Sequence, residues 1–400
     1  MEGRKLTSVA LILIFLAAGI GASIFAPSSQ NFEWDTSVVR NVTVVANSSN
    51  LFALKLFNEI RGNNTIFSPL SIWIALAMAY EGTRGPTAEE MRKVLNFPEN
   101  KTLLRETIAY IMRNFAGGNG YNLTLANSIW PNEYYPINES YVNIVKNYYD
   151  AYVRSLNYQS PERAREIINS WIQNRTNGRI KELIPPGYLT KAMALVLSNT
   201  IYFNASWVEK FDYRMTWEEV FYTPHGEVTA LMMHKTAKFG YAEDEDVKVL
   251  EMPYKGERFS MLIVLPKDVK IMPQITLEKI NAWRRNIKES LVEVTLPRFT
   301  IEKYYDLKKP LMSMGMYRAF YNADFGGIGP DLYISFVVHK SYIKVGEKGT
   351  EASAATAVGI PSGISPHEYI FNANHPFIFI IQDKTTGAIL FMGELVDPSS

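Results

Sequence analysis

A run of small side chains, Glu347-Lys348-Gly349-Thr350-Glu351-Ala352-Ser353-Ala354-Ala355-Thr356-Ala357-Val358, constrains this chain more than any other stretch. It holds no proline, no aromatic residue and no basic residue after Lys348. Loops draw on Gly, Pro, Asn and Asp, and Gly349 alone is of that kind. A buried helix needs Leu or Met at helical spacing, and neither occurs. Read with a period of two, Thr350, Ala352, Ala354, Thr356 and Val358 share one face, while Glu351, Ser353, Ala355 and Ala357 share the other, so the Glu351 carboxylate stays wet. Such a ribbon can fit between two strands without a steric or charge penalty. A small-residue helix is the competing reading, because alanine is the best helix former. The neighbours decide. Leu332 to Val345 alternates as a strand, Gly359, Pro361, Gly363 and Pro366 mark an exposed loop, and an apolar strand pair closes the chain.

The 400 residues are 47% hydrophobic, enough for a large core, and 41 Lys+Arg against 40 Asp+Glu leave no charge excess for a polyanion. No basic run points to nucleic acid or to a heparin-like partner. With no cysteine, disulfides, thiolate chemistry and Cys-ligated zinc are excluded. Arg4 and Lys5 precede an apolar stretch from Leu6 to Ala26 that ends in small residues, so residues 1–26 read as a signal peptide or an uncleaved N-terminal anchor. Secretion is expected, or tethering to the outer face of the cell membrane. Eight Asn-x-Ser/Thr sequons (Asn41, Asn47, Asn63, Asn100, Asn122, Asn138, Asn174, Asn204) agree with export where the host glycosylates, although so short a motif also arises by chance.

Residues 27–45 read as a polar linker and 46–398 as one domain. Leu51, Leu54, Leu56 and Phe57 give a first helix from Ser48 to Ile60. Asn64 to Ser71 is a short strand leading into a helix, Ser71 to Tyr80, apolar nearly all round and therefore buried. Thr87-Ala88-Glu89-Glu90 predicts a capping box. Leu123 to Trp130 alternates as a strand. Ser160 to Asn177 is an amphipathic helix with Ile167, Ile168 and Trp171 on its apolar face. Ala192 to Phe203 reads as a central strand. Glu227–His234, Ala237–Tyr241, Lys248–Met252, Phe259–Leu265 and Leu291–Phe299 are further strands. Helices and antiparallel strands are interspersed without repeats, which makes the class α+β.

Enzyme motifs are missing. There is no Gly-x-Ser-x-Gly elbow, no His-Glu-x-x-His, no phosphate loop and no Cys nucleophile. The histidines (His225, His234, His339, His367, His375) have no metal-ligand spacing. No catalytic residue, metal or cofactor is expected.

Val345-Gly346-Glu347-Lys348-Gly349-Thr350-Glu351-Ala352 resembles the hinge of the serpin family of serine protease inhibitors. The C-terminal Phe371-Asn372-Ala373-Asn374-His375-Pro376-Phe377 and Gly387-Ala388-Ile389-Leu390-Phe391-Met392-Gly393-Glu394 are similar to that family's signatures, and the likeness runs from about Asn47 to Pro398, with features closest to prokaryotic members. It implies a single domain with a large central, mainly antiparallel sheet, smaller sheets, about nine helices and an exposed reactive loop. It also implies that Asn64, Ser68, Pro69 and Ser71 lie beneath the centre of that sheet with Asn199 and His339 as partners, His339 acting as a structural latch. Trp207 and Phe211 match the aromatics where the loop enters. Arg298 matches the basic partner of Glu347, a pair expected to be mostly exposed and worth about 1 kcal/mol or less.

The function implied is suicide inhibition of a serine protease by a monomer. Glu347, Gly349, Thr350, Glu351, Ala352, Ser353, Ala354, Ala355 and Thr356 form the hinge, and cleavage of the loop frees them to insert as a strand. Counting forward from Glu347 at the family's spacing lands on Gly363–Ile364, or one bond earlier on Ser362–Gly363. Counting back from Pro376 lands nearer Ser365, so the window spans Ile360, Pro361, Ser362 and Ser365. No Lys or Arg lies between Lys348 and Lys384, which disfavours a trypsin-like target and favours a subtilisin-, elastase- or chymotrypsin-like one. A serpin-shaped scaffold, carrier or chaperone that traps nothing is the alternative.

Overall fold

The computed structural model describes residues 36–399 except 116, 117, 135, 177, 179, 194, 270, 271 and 351–367. The leader, the first part of the linker, the hinge beyond Thr350 and the whole reactive-bond window lie outside the described residues. Thr36–Ser400 forms one compact unit. No described helix is long and apolar enough to cross a membrane.

The first helix, α1, spans Thr36–Ile60, so the predicted linker 27–45 is helical from Thr36 onward. Val42, Val45 and Ala46 are buried at helical spacing and extend the face that continues through Phe52 and Leu56, so burial overrides the weak helix propensity of valine. After β1 (Thr65–Phe67) comes α2 (Pro69–Glu81), started by Ser68, whose hydroxyl accepts from Ser71 N–H, and by Pro69 in the first turn. Every residue from Pro69 to Tyr80 is buried, as its all-round apolar surface predicts.

Next is α3 (Gly85–Leu95), which begins two residues before Thr87, so the predicted capping box does not form. The Thr87 hydroxyl accepts instead from the Asp324 N–H at 3.0 Å. The chain continues through α4 (Lys101–Phe115), β2 (Tyr121–Pro131), α5 (Glu139–Tyr149) and β3 (Tyr152–Val153) to α6 (Pro161–Arg175). The buried face of α6 is Ala164, Ile168 and Ile172, while Ile167 and Trp171 are only half-buried.

From β4 (Leu195–Ser206) a 3-10 turn leads to β5 (Thr216–Thr223) and β6 (Gly226–Glu243). The two strands predicted at Glu227–His234 and Ala237–Tyr241 are halves of β6, long enough to serve β5 with one end and β7 (Val247–Pro253) with the other. Then follow β8 (Phe259–Pro266), α7 (Leu277–Asn286), β9 (Lys288–Pro297), β10 (Phe299–Asp306) and α8 (Lys308–Ser313). The strand predicted to reach Phe299 stops at Pro297, and Phe299 starts a strand of the other sheet. The last elements are β11 (Phe336–Gly346), β12 (Gly349–Thr350), β13 (Tyr369–Asn372), β14 (Phe377–Asp383) and β15 (Ile389–Leu395).

Two sheets form among the described residues. Nine strands make one, along β1-β15-β14-β8-β7-β6-β9-β13 with β5 attached to β6. Six make the other, in the order β10-β11-β12-β4-β2-β3. The main core lies between these sheets and α1, α2 and α4. A second core sits under α6, where Ile168 and Ile172 join Val196 of β4 and Phe336 and Val338 of β11.

Candidate functional site

The six-stranded sheet is parted at one end. β4 and β11 pair in parallel from Phe336–Lys340 against Val196–Thr200. Beyond Lys340 they no longer bond each other, and at the far end β12 stands between them, antiparallel to both. Gly349 and Thr350 pair with Ser206 and Ala205 on one side and with Gly346 and Val345 on the other. Gly349 has φ +148°, and an added Cβ would overlap the Ala205 carbonyl oxygen, so no larger residue starts this strand.

Thr350 is 1% exposed, and its hydroxyl lies 2.6 Å from the Tyr254 hydroxyl, which is itself wholly buried. Burial raises the Tyr254 pKa, the Thr350 contact only partly opposing it, so the phenol stays neutral. The Tyr254 ring stacks on Trp207 at 4.4 Å with 17° between planes. Trp207 Nε1–H donates to the Gly346 carbonyl at 3.0 Å and its backbone N–H to that of Lys348 at 2.9 Å. Phe211 N–H holds the Glu347 carbonyl at 2.9 Å. Trp207 and Phe211 thus grip the backbone on either side of the turn between β11 and β12.

Arg298 donates to Glu347 through Nε (2.7 Å) and through a second guanidinium nitrogen, and the Thr216 hydroxyl adds a bond of 2.8 Å. The expectation of a mostly exposed pair is corrected: the Glu347 side chain is 13% exposed and that of Arg298 39%. Burial favours the neutral acid, but the Arg298, backbone and Thr216 hydrogen bonds outweigh it and hold the carboxyl below its usual range.

His339 lies where the closed part of the sheet ends, opposite Asn199 on β4 and Tyr305 on β10. The backbone N–H of Ser68 donates to His339 Nε2 at 3.0 Å, and the Ser341 hydroxyl lies 2.6 Å from the same nitrogen. The imidazole is fully buried, and burial pushes its pKa down to about 3. The Ser68 hydroxyl donates to the Leu390 carbonyl at 2.6 Å, and Ser71 is wholly buried one turn along α2. Asn199 is placed by its backbone register alone. The Asn64 side-chain oxygen accepts from the N–H of Val396 (2.7 Å) and Asp397 (2.9 Å), which ties the C-terminal segment down.

Tyr254, Thr216 and Ser341 were not singled out from the sequence. Nothing linear links Tyr254 to a threonine 96 positions later. Among the described residues no group of three His, Asp or Glu side chains converges as metal ligands would. A cavity of about 490 Å³ beside α6 and β3 is lined by Trp130, Tyr152, Arg154, Glu166, Ser170 and Trp171.

The family model "Serpin (serine protease inhibitor)" matches residues 47–398. An uncharacterised serpin-like protein of Thermococcus kodakarensis is 42% identical over 367 residues, covering 88% of this chain and 86% of the relative. The leukocyte elastase inhibitor of Bos taurus is 39% identical over 370 residues, with 87% and 97% covered. Among solved structures, a highly specific serpin of the insect Tenebrio molitor superposes with a TM-score of 0.79 at 32% identity, covering 88% of this chain and 98% of that one.

Proposed function

Because this chain belongs to the serpin family, we propose that it is a suicide inhibitor of serine proteases, its trap being the parted end of the six-stranded sheet. The observation that carries this reading is Thr350, seated between β4 and β11 with its register on both strands set. Continuing that register puts Ala354 between Ser341 and Ile201, Thr356 between His339 and Asn199, and Val358 between Val337 and Leu197. The even-numbered residues then share the buried face of Thr350, and all are small enough to fit.

In this reading the protease serine attacks the Gly363 carbonyl, the peptide nitrogen of Ile364 leaves as an amine, and the enzyme stays esterified to Gly363. The cut frees residues 351–358 to move into the gap, and each gains ladder hydrogen bonds worth on the order of 1 kcal/mol net. The protease is carried along on the ester before water can complete hydrolysis. A relative named for elastase and the absence of basic residues around the bond both support a target that takes small or apolar side chains. Export by way of residues 1–26, cleaved or retained, is part of the proposal, because it places the inhibitor where such proteases are met.

Mixing the chain with subtilisin and running the products in SDS tests the reading. A covalent band heavier than either protein is expected, and a chain cut without such a band would make it a scaffold. Mass spectrometry of the released C-terminal fragment should find Ile364 at its start, and a cut outside Ile360–Ser365 overturns that assignment. N-terminal sequencing of the protein from its own host decides whether the leader is removed.

A further inference from the structure

We infer that the cavity beside α6 is a sugar-binding trough, filled by an N-linked glycan carried on Asn174; this rests on the export proposed above and not on inhibition. Arg163, Glu166, Ile167, Ser170, Trp171 and Asn174 line it and recur at intervals of three and four, so one face of α6 forms its wall. That face is distinct from the one packed on the core, which is Ala164, Ile168 and Ile172. Ile167 and Trp171, expected on the apolar face, are only half-buried because they wall this cavity. Its volume of about 490 Å³ lies within the range of about 300–1,000 Å³ usual for ligand sites. The other wall comes from the edge of the six-stranded sheet. Tyr152 on the outermost strand β3 and Arg154 just beyond it share one face by alternation. Tyr152 stacks on Trp171 at 5.3 Å with 25° between planes, and both rings meet Trp130 of β2, at 5.3 and 5.6 Å. Trp130 is wholly buried and fixed by Nε1–H bonds of 2.8 Å to the Ser128 and Ser198 hydroxyls. The trough thus has an aromatic floor held from below. Arg154 and Arg163 border it and pair with no carboxylate among the described residues. Rings beneath and hydrogen-bond donors above match a pyranose, whose C–H face rests on aromatic surface while its hydroxyls take polar partners.

The sequon Asn174-Arg175-Thr176 supplies the source of the sugar. The Asn174 side chain is exposed at the border of the trough, and no described residue takes its amide. Other sequons differ: the Asn138 amide donates to the Gly326 and Gly327 carbonyls (3.2 and 2.9 Å), and that of Asn204 to the Tyr202 hydroxyl (3.1 Å). In the transfer, the Asn174 amide nitrogen bonds to the anomeric carbon of an oligosaccharide carried on a lipid phosphate. The anomeric C–O bond breaks, the lipid phosphate leaves with the electron pair, and the amide gives up one of its two protons. This takes place on the emerging chain, before the Thr176 hydroxyl closes the end of α6 on the Ile172 carbonyl (2.9 Å). In the folded chain the first sugars then lie against Tyr152 and Trp171 and tie α6 to the edge strand.

The test uses the protein purified from its own host, beside the same chain made where no glycan is attached. Peptide mass spectrometry should find an oligosaccharide mass on the peptide that holds Asn174, lost in Asn174→Gln. The glycosylated chain should unfold at higher denaturant than the bare one, and Trp171→Ala should remove most of that gap. Because the gap is measured within each variant, the destabilisation caused by Trp171→Ala itself cancels. A bare Asn174 overturns the inference, and glycans at other sequons would then leave export standing. A host protein recovered from the cytosol with no glycan at any sequon overturns export as well. A glycosylated Asn174 with the same gap in Trp171→Ala overturns the seating of the sugar in the trough. A bare Asn174 with saturable quenching of tryptophan fluorescence by di-N-acetylchitobiose assigns the trough to a free sugar and overturns the attachment.

Discussion

His339 is the residue whose protonation the fold resists most plainly. Its Nε2 accepts the Ser68 N–H, so a proton there would set two donors face to face in a fully buried site. A histidine pKa depressed to about 3 in the folded chain means that the unfolded chain binds the extra proton from about pH 6.5 downward. Stability should therefore be intact above pH 6.5 and fall on acidification by up to about 1.4 kcal/mol per pH unit until pH 3. Denaturant midpoints between pH 7 and pH 5 check this, and His339→Gln should flatten that limb. Glu347, whose pKa is lowered, loses its contribution only as the pH falls through the carboxylate range and cannot account for a loss at pH 6, whereas His375, lowered by burial in the same direction, adds to the limb. The Thr350–Tyr254 contact makes a second prediction at this scale. Tyr254→Phe removes one partner of a buried bond and should cost about 1–3 kcal/mol, while the Tyr254→Phe, Thr350→Val pair should recover most of that loss. If the double variant is as unstable as the sum of the singles, the two hydroxyls are not coupled.

At the scale of elements, the proposed function makes β12 the beginning of a strand that would continue between β4 and β11 in the register set by Thr350. Residues on opposite faces of that continuation should respond differently. Thr356→Arg would drive a charge into the space between His339 and Asn199, so the variant should be cut as a substrate with little covalent complex. Ala355→Arg faces outward and should trap proteases within a few-fold of the parent. On the proposed insertion the same register would set Glu351 beside Lys344, which is exposed on β11. Lys344→Glu should therefore slow trapping and raise the fraction of chains cut without complex, an effect that weakens in salt. Equal behaviour of the two arginine variants would show that the register does not continue past Thr350. The period of two read from the run falls, past Thr350, outside the described residues; α2 was legible because it is apolar all round and opened by Ser68-Pro69. Thr36–Ser48 was not, because its valines disfavour helix and only the core they meet reverses that preference. The capping box failed for a similar reason: Thr87 has the right spacing to Glu90 but a tertiary partner in Asp324. In the site, Arg298 and Glu347 were paired by resemblance, yet their burial depends on Thr216 and Phe211 closing over them, which spacing does not reveal.

For the whole molecule, what matters is the difference between two arrangements of one chain. In the intact chain β4 and β11 share five residue pairs, and these must be given up for the loop to pass. The same opening divides the core beneath α6, since Ile168 and Ile172 rest on Val196 from one strand and on Phe336 and Val338 from the other. If the loop inserts as proposed, both losses come before any gain, so they would form a barrier and keep the uncut chain in its state by rate and not by equilibrium. In the proposed reading residues 351–358 would bond to a strand on each side. At on the order of 1 kcal/mol per residue, the eight residues would gain about 8 kcal/mol against about 5 for the five lost pairs, a surplus of about 3 kcal/mol before side-chain packing. For the 365 residues of the compact unit, an unfolding entropy of about 2.1 cal/mol/K per residue makes that surplus equal to a rise of about 4 °C in Tm. Nicking the loop with a catalytic amount of subtilisin and comparing melting curves of cut and uncut chain measures it directly. The cut chain should melt at least about 4 °C higher, and Thr356→Arg should lose most of that increase. A cut chain that melts with the uncut one would mean that β12 is a finished edge and the parted strands hold nothing in reserve.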